Sequence, residues 1–320
     1  MSLIQVEQLV KDYRLPRTAL LKKAPVFRAL HGISFEVAQG ESFGIVGESG
    51  CGKSTLARIV MALDQPTSGT VYYDGIDLFA VSQRKLQQLR KHFQMVFQDP
   101  YSSLNPRKKV LHVVAEPLDM LAGSLTTTDR RERVVMMLKE VGLGASDLDK
   151  YPHEFSGGQR QRIAIARALI THPSLIVADE SVSALDVSVQ AQVLNLMMDL
   201  QEKYRLAYLF ISHDLSVVEF VTQRLAVIYL GRIVEQGETR EIFNSPTHPY
   251  SELLLEAIPS VDPEDQKKAT ARKASGLKSG ERSCPFVDRC YLATPLCVEQ
   301  MPDLIGTDRH KAACHHSQVT

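Results

Sequence analysis

The apolar residues of the chain form short runs with two different spacings. Three strand-like runs open the sequence: LIQVEQLV (3–10), GISFEV (32–37) and ESFGIVG (41–47). From residue 54 the period becomes helical in STLARIVMAL. Later strand-like runs (HFQMVFQ, SLIVADE, LAYLFISHD) alternate with helical ones (RQRIAIARALI, VSVQAQVLNLMMDLQEKY). This alternation predicts an α/β fold with a mainly parallel core sheet.

The amino-acid composition changes near residue 259. Residues 259–283 are rich in charge, Ser, Gly and Pro and poor in large apolar side chains, which is typical of a linker. Four of the five cysteines follow within residues 284–314. We therefore predict a boundary that divides residues 1–258 from residues 259–320.

Composition and charge narrow the classes of function. Lys plus Arg and Asp plus Glu both total 37, so no basic excess favours nucleic acid as the main partner. The N-terminal segment lacks the features of a signal peptide, and no apolar run approaches the roughly 18 residues that span a bilayer. Five cysteines without an export signal indicate a reducing cytosol. If the protein serves a membrane process, we expect it to act from one side of the membrane.

The segment GESGCGKS (47–54) follows an apolar strand and precedes a helix, which is the context of a phosphate-binding P-loop. Its glycines let backbone N–H groups point at phosphate oxygens, Lys53 supplies positive charge, and Ser54 offers a hydroxyl to Mg²⁺. The predicted nucleotide-binding residues here are Gly47, Glu48, Ser49, Gly50, Cys51, Gly52, Lys53, Ser54 and Thr55.

Two later strands end in polar residues. LIVADE places Asp179 to hold Mg²⁺ through water and Glu180 to polarise an attacking water. ISHD places His213 at the carboxyl end of another strand, where ligands bind in α/β sheets. A lone histidine at such a place is more often structural than functional.

A second glycine-rich helix start, FSGGQRQR, begins at residue 155. Ser156, Gly157 and Gly158 precede a helix and so form an anion site by the same physics as the P-loop. Because the P-loop already binds one triphosphate, this site is best explained as serving a nucleotide held by another subunit.

FSGGQ resembles the signature motif of the ATP-binding cassette (ABC) ATPases, and the resemblance extends over residues 3 to about 258. It implies a RecA-like core with an antiparallel β subdomain and a helical subdomain, ATP and Mg²⁺ as ligands, and two domains packed head to tail. It further implies an adenine-stacking role for Tyr13, a Mg²⁺ and water contact for Gln98, and a γ-phosphate contact for His213. Residues 156–159, including Gln159, would bind the opposing nucleotide, and residues 183–186 would form the loop that crosses the dimer.

One position departs from the pattern of this family. The family usually has proline after the catalytic glutamate, whereas this chain has Ser181. Loss of proline frees φ and restores an N–H group, which is expected to loosen the turn. Since Glu180 is present, we expect hydrolysis to survive.

Several further segments resemble the bacterial dipeptide, oligopeptide and nickel importer ATPases, among them DPYSSLNPRKKV, YLGRIVEQG and THPYSELLLEAIP. The resemblance implies a second ATPase subunit, either identical or different, two membrane permease subunits, an extracytoplasmic binding protein, and a peripheral position on the cytoplasmic face of the inner membrane. A cytosolic cassette ATPase of translation or DNA repair, and a regulator that does not hydrolyse ATP, are the alternatives. We predict that residues 101–107 dock a permease helix through Tyr101 and Leu104.

The four C-terminal cysteines, Cys284, Cys290, Cys297 and Cys314, are spaced C-x5-C-x6-C-x16-C. Four thiolates in a segment with too few large apolar residues for its own core favour a metal centre. The wide spacing lacks the C-x2-C pairs of structural zinc, which favours a [4Fe-4S] cluster over zinc. Two disulfides or unliganded thiols are the remaining alternatives.

Overall fold

The computed structural model describes residues 2–16, 24–120, 125–258, 274–278, 280 and 283–317. Most of the predicted linker, residues 259–273 together with 279 and 281–282, lies outside this range. The strands of the described residues are β1 (Ser2–Arg14), β2 (Val26–Ala38), β3 (Ser42–Val46), β4 (Ser68–Tyr73), β5 (Ile76–Asp77), β6 (Phe93–Val96), β7 (Leu175–Asp179), β8 (Ala207–Ser212), β9 (Arg224–Tyr229), β10 (Arg232–Glu238), β11 (Ile305–Gly306) and β12 (His310–Ala312).

The helices of the described residues are interspersed with these strands along the chain. They are α1 (Lys53–Val60), α2 (Gln83–Leu89), α3 (Pro100–Ser103), α4 (Val110–Ala115), α5 (Thr127–Glu140), α6 (Gly157–Leu169), α7 (Val187–Tyr204), α8 (Leu215–Val221), α9 (Thr239–Asn244), α10 (Pro249–Glu256) and α11 (Pro295–Glu299). Short 3₁₀ turns occupy Arg90–His92, Glu116–Met120, Ala145–Asp147 and Pro152–Glu154. None of the described helices has both the length and the apolar character needed to cross a bilayer.

The strands of the described residues form two sheets. The smaller sheet is antiparallel, in the order β2-β1-β4-β5, and the larger has the order β11-β12-β10-β9-β3-β8-β7-β6. In the larger sheet β9, β3, β8, β7 and β6 run parallel. Every residue of β3 and β8 is buried, as expected for parallel strands covered on both faces. The predicted α/β fold with a mainly parallel core sheet is confirmed.

Two large hydrophobic clusters flank this sheet. One contains α1 and the inner residues of β1 and β2, including Leu56 and Leu30. The other contains α4, α5 and α6 with the buried side of α7, including Ile163 and Val193. The P-loop therefore belongs to one cluster and the helix after FSGGQ to the other.

The C-terminal region packs on the same sheet as the rest of the chain. Strand β12 pairs with β10, and β11 pairs with β12, which extends the larger sheet at one edge. Phe286 and Val287 are fully buried in a third cluster with Tyr229, Val234 and Tyr250. The apolar surface that the cysteine-containing segment cannot supply by itself is thus provided by β9, β10 and α10.

Candidate active site

The carboxyl ends of the parallel strands lie at one edge of the sheet. The predicted site residues lie at or just after the ends of four of these strands. The P-loop follows β3, and Gln98 follows β6. Asp179 is the last residue of β7 and Glu180 follows it, while His213 follows β8. The fold therefore gathers on one rim residues that are widely separated in sequence.

The P-loop has a backbone that two of its glycines make possible. Gly47 has φ 154°, and a Cβ atom there would lie 2.2 Å from the carbonyl oxygen of Ile228. Gly52 has φ 107° and caps the start of α1 without a side-chain hydrogen bond, so the N–H groups of the first helical turn remain available to an anion. Lys53 is buried, and its Nζ donates to the carbonyl oxygens of Gly47 at 2.6 Å and Glu48 at 3.0 Å.

Asp179 carries an unused acceptor next to this loop. Its Oδ1 is buried and accepts no hydrogen bond within the described residues. Burial, followed by the neighbouring charge of Glu180, raises the pKa of Asp179 to about 6, while the charge of Lys53 opposes the shift. A buried carboxylate oxygen without a donor is suited to a cation or its water ligand, so the donor set of Asp179 and the exposed Ser54 hydroxyl fits Mg²⁺.

Glu180 lies between two other predicted residues. Gln98 Nε2 donates to Glu180 Oε2 at 2.6 Å, and His213 Nδ1 lies 3.0 Å from Glu180 Oε1. The backbone of Glu180 has φ 46°, and its N–H donates to the carbonyl oxygen of Ile211 at 2.7 Å. Gln98 and His213, which were predicted to contact Mg²⁺ with water and the γ-phosphate, therefore both contact the predicted base Glu180 directly.

The turn after Glu180 is closed by hydrogen bonds that do not involve residue 181. The Ser183 N–H and hydroxyl both donate to the Glu180 carbonyl oxygen, at 3.1 Å and 3.0 Å. Ser181 itself is buried. The turn is thus held by two hydrogen bonds from Ser183 to the Glu180 carbonyl oxygen.

Tyr13 of β1 lies beside the first turn of α1. Its hydroxyl donates to Asp64 Oδ2 at 3.2 Å and lies 3.5 Å from Thr55 Oγ1. The Lys11 ammonium is 5.0 Å from the ring centroid. The aromatic ring is thus placed next to the helix that follows the P-loop.

The FSGGQ segment is separate from this group of residues. Ser156 caps α6 and forms a capping box with Gln159, and both side chains are exposed. A Cβ on Gly158 would lie 2.3 Å from Val189 Cγ1, and one on Gly157 would lie 3.4 Å from Leu185 Cδ2. The two glycines therefore permit close packing of α6 against the segment 183–189.

The four C-terminal cysteines line one enclosed cavity together with His248, Phe286, His315 and His316. All four are buried, and all five cysteines of the chain are free thiols. Burial, and then neighbouring thiols of the group, raise the pKa of Cys290 to about 11. The cavity measures about 10 Å³, and among the described residues no group of three or more His, Cys, Asp or Glu side chains has the geometry of a metal site.

The predicted docking segment is only partly exposed. Tyr101 is 63% exposed, and its ring lies 3.7 Å from the Arg160 guanidinium carbon. Leu104 is 1% exposed and belongs to the cluster under α4 and α6. The expectation that Leu104 offers surface contact was wrong, because an apolar residue at the end of the short helix α3 packs inward against α6.

Two residues near the P-loop were missed by sequence reasoning. The Tyr250 hydroxyl accepts from the Glu48 N–H at 2.9 Å, and the Arg289 guanidinium pairs with the Glu48 carboxylate. The HPY motif that contains Tyr250 was noticeable in the sequence, but nothing local connected it with residue 48.

Comparisons with known proteins show the family of this chain. The profile of the ABC transporter family matches residues 30–183, and that of the oligopeptide/dipeptide transporter C-terminal region matches residues 234–297. The dipeptide transport ATP-binding protein of Haemophilus influenzae is 47% identical and aligns with 96% of this chain and 94% of its own. The oligopeptide transport ATP-binding protein AppF of Bacillus subtilis is 45% identical, with 96% and 95% covered.

Solved structures show the same fold. A dimeric ATP-binding cassette in a post-hydrolysis state with ADP and phosphate superposes with a TM-score of 0.66 at 30% identity, covering 74% of this chain and 99% of its own. Since relatives at 45–47% identity align with nearly its whole length, the chain belongs to the ATP-hydrolysing ATP-binding proteins of the ABC transporter family, in the group with an oligopeptide/dipeptide transporter C-terminal region.

Proposed function

We propose that the chain binds and hydrolyses ATP to energise a bacterial importer of dipeptides or oligopeptides, at the cytoplasmic face of the inner membrane. Relatives named for dipeptide and oligopeptide transport align with nearly the full chain. The observation that carries the proposal is the contact of Glu180 with both Gln98 and His213 beside Asp179. Import of nickel chelates or other small peptide-like solutes is the alternative within the same class.

The P-loop would bind the triphosphate. The backbone N–H groups of residues 47–55, including Ser49 and Thr55, would surround the phosphates, while Lys53 exchanges its contacts with loop carbonyls for the β and γ phosphate oxygens. Tyr13 would stack on adenine, as its place beside α1 supports. Mg²⁺, when bound, neutralises charge on the β and γ phosphates. Ser54, Asp179 and Gln98 would hold it.

The hydrolytic step assigned to this chain's own residues is a proton transfer at Glu180. One carboxylate oxygen accepts the proton of the attacking water as that water's oxygen bonds to the γ-phosphorus. The bond from the γ-phosphorus to the oxygen that bridges it to the β-phosphorus breaks, and ADP leaves. Gln98 and His213 each contact one Glu180 oxygen and so fix the orientation of the carboxylate. His213 would also contact the γ-phosphate.

A second ATPase subunit would complete the site. Ser156, Gly157, Gly158 and Gln159 would bind the nucleotide held by the P-loop of the partner, and residues 183–186 would cross between them. Two features support this: the Ser156 and Gln159 side chains are exposed, and the helix that begins there packs with a hydrophobic cluster different from that of the P-loop. A dimer is also the form of the ADP-bound cassette to which the chain is similar.

The partners of an importer would be two permease subunits and, indirectly, an extracytoplasmic binding protein. We propose that residues 101–107 contact a permease helix, with Tyr101 as the exposed aromatic. The stack of Tyr101 on Arg160 would connect this contact with α6, which begins at the FSGGQ segment.

We also propose that Cys284, Cys290, Cys297 and Cys314 bind a [4Fe-4S] cluster that orders the C-terminal region. Their convergence on one buried cavity supports four thiolate ligands. Since the cavity of about 10 Å³ has room for one water-sized sphere, the sulfurs must separate to admit a cubane. Anaerobically purified protein should be brown, and Cys290→Ser should be colourless. Colourless wild-type protein with stoichiometric zinc would replace the cluster with a zinc site.

The transport assignment is tested against a cytosolic cassette ATPase by native purification. The tagged chain is isolated from detergent-solubilised membranes and from the soluble fraction of the same cells. Recovery of integral permease subunits with the chain is expected. Recovery of ribosomes or DNA without permeases would support the cytosolic class.

A further inference from the structure

Glu48, the second residue of the P-loop, forms hydrogen bonds with three other residues. Its N–H donates to the Tyr250 hydroxyl at 2.9 Å, its carbonyl oxygen accepts from Lys53 Nζ at 3.0 Å, and its carboxylate accepts from Arg289. The Arg289 contact is bidentate: Nη1 donates to Oε2 and Nη2 to Oε1, both at 2.9 Å. Two of the three groups that fix Glu48 therefore come from the C-terminal part of the chain.

Arg289 is itself held in place by aromatic rings. Its guanidinium carbon lies 5.5 Å from the centroid of Phe286 and 5.8 Å from that of Tyr229. Phe286 and Tyr250 are fully buried and pack on each other with ring centroids 5.5 Å apart. The guanidinium fork is therefore directed at Glu48 before any nucleotide binds, which reduces the entropy lost in forming the pair.

The backbone that carries Arg289 is tied to the cysteine cavity. The Arg289 N–H donates to the carbonyl oxygen of Phe286 at 3.0 Å, and that of Cys290 donates to Val287 at 3.3 Å. The Cys284 N–H donates to the carbonyl oxygen of Cys297 at 2.8 Å. The position of the Arg289 guanidinium therefore depends on how the C-terminal region packs.

The carboxylate of Glu48 poses an electrostatic problem for a loop that binds phosphates. An anionic side chain in this loop repels the triphosphate, and the repulsion is cancelled where a cation sits against the carboxylate. Arg289 provides that cation through the planar, bidentate geometry that suits carboxylates.

We propose that Arg289 is a positioning residue of the phosphate-binding loop, which neutralises Glu48 and fixes the loop through the C-terminal region. The inference rests on the proposed ATP site and deepens it. The C-terminal region then contributes to ATP affinity in addition to its own packing.

The test compares full-length variants by steady-state hydrolysis and by equilibrium binding of ATP. Arg289→Ala should raise the KM for ATP about fivefold, the factor that a partly exposed ion pair can supply, with kcat little changed. Arg289→Lys should recover part of the loss. Adding Arg289→Ala to Glu48→Gln should raise the KM no further than Glu48→Gln alone does, because the carboxylate through which Arg289 acts is gone.

A matched control is available in the same region. Arg309 makes a bidentate pair with Glu238, with Nε to Oε1 at 2.7 Å and Nη2 to Oε2 at 3.1 Å, at the opposite edge of the sheet from β6. Arg309→Ala should leave the KM for ATP unchanged. The Arg289→Ala effect should also shrink as salt rises, since exposed charges are screened.

Two results would overturn the inference. They are a KM for Arg289→Ala equal to that of Arg309→Ala, or a further rise in KM when Arg289→Ala is added to Glu48→Gln. Arg289→Gln, which keeps most of the side-chain length and removes the charge, takes the place of Arg289→Ala in both comparisons if Arg289→Ala does not fold. Absence of hydrolysis in the wild type would contradict the proposed function instead, and ATP binding would then still decide the role of Arg289.

Discussion

Replacing Glu235 with alanine should detach the last strands of the chain from the main sheet. Glu235 lies on β10, is fully buried, and accepts hydrogen bonds from the backbone N–H groups of Thr247 at 2.7 Å and His248 at 3.0 Å. The third group is the ring of His310 on β12, whose Nε2 lies 2.5 Å from Glu235 Oε1. One carboxylate therefore joins β10, the start of α10 and β12.

The magnitude follows from what the substitution leaves behind. Alanine removes the acceptor of two backbone N–H groups and of the His310 ring at a site without solvent access. Leaving a buried donor unsatisfied costs about 1–3 kcal/mol, and breaking a buried hydrogen-bonded charge costs about 3–5 kcal/mol. We expect Glu235→Ala to lower the free energy of unfolding by about 3–5 kcal/mol. Glu235→Gln, which retains one acceptor oxygen, should lower it less.

The assay is urea unfolding followed by circular dichroism, with the m-value checked for each variant. Glu238, on the same strand, pairs bidentately with Arg309 in solvent, so Glu238→Ala is the matched control and should have a small effect. Equal effects of Glu235→Ala and Glu238→Ala would refute the reasoning that burial of Glu235 makes its contacts strong.

Two further comparisons test the P-loop and the docking segment. Gly47→Ala should abolish ATP binding because its Cβ would meet the Ile228 carbonyl, whereas Gly50→Ala, with open space around its Cβ, should cost only about 1–2 kcal/mol of backbone strain. Equal ATP affinities of the two variants would contradict this. Tyr101→Asp should abolish peptide uptake while leaving thermal stability unchanged, and Leu104→Asp should unfold the helical cluster. Normal uptake by Tyr101→Asp would argue against docking there.

Local patterns predicted the parts of the fold that depend on local sequence. The apolar period of residues 187–204 predicted a helix, and α7 has these bounds. The strand runs that end at Asp179 and Ser212 are parallel neighbours, so their polar ends were expected on one rim. The contact of Glu180 with Gln98 and His213 follows from that placement.

Local patterns could not predict contacts between segments that are distant in the sequence. Arg289 and Tyr250 are 241 and 202 residues from Glu48, and no periodicity links them. Leu104 follows a four-residue helix, which is too short to show a buried face. The extension of the sheet by β11 and β12 was also missed, because strands of two and three residues carry no alternating pattern.

The central claim is that Glu180 is the base of an ATP site shared between two subunits, and Glu180→Gln tests it most directly. This variant keeps the P-loop, so it should bind ATP with wild-type affinity, accumulate as a closed ATP-bound dimer, and hydrolyse ATP about 10²–10⁴ times more slowly. Hydrolysis by Glu180→Gln at the wild-type rate would contradict the claim.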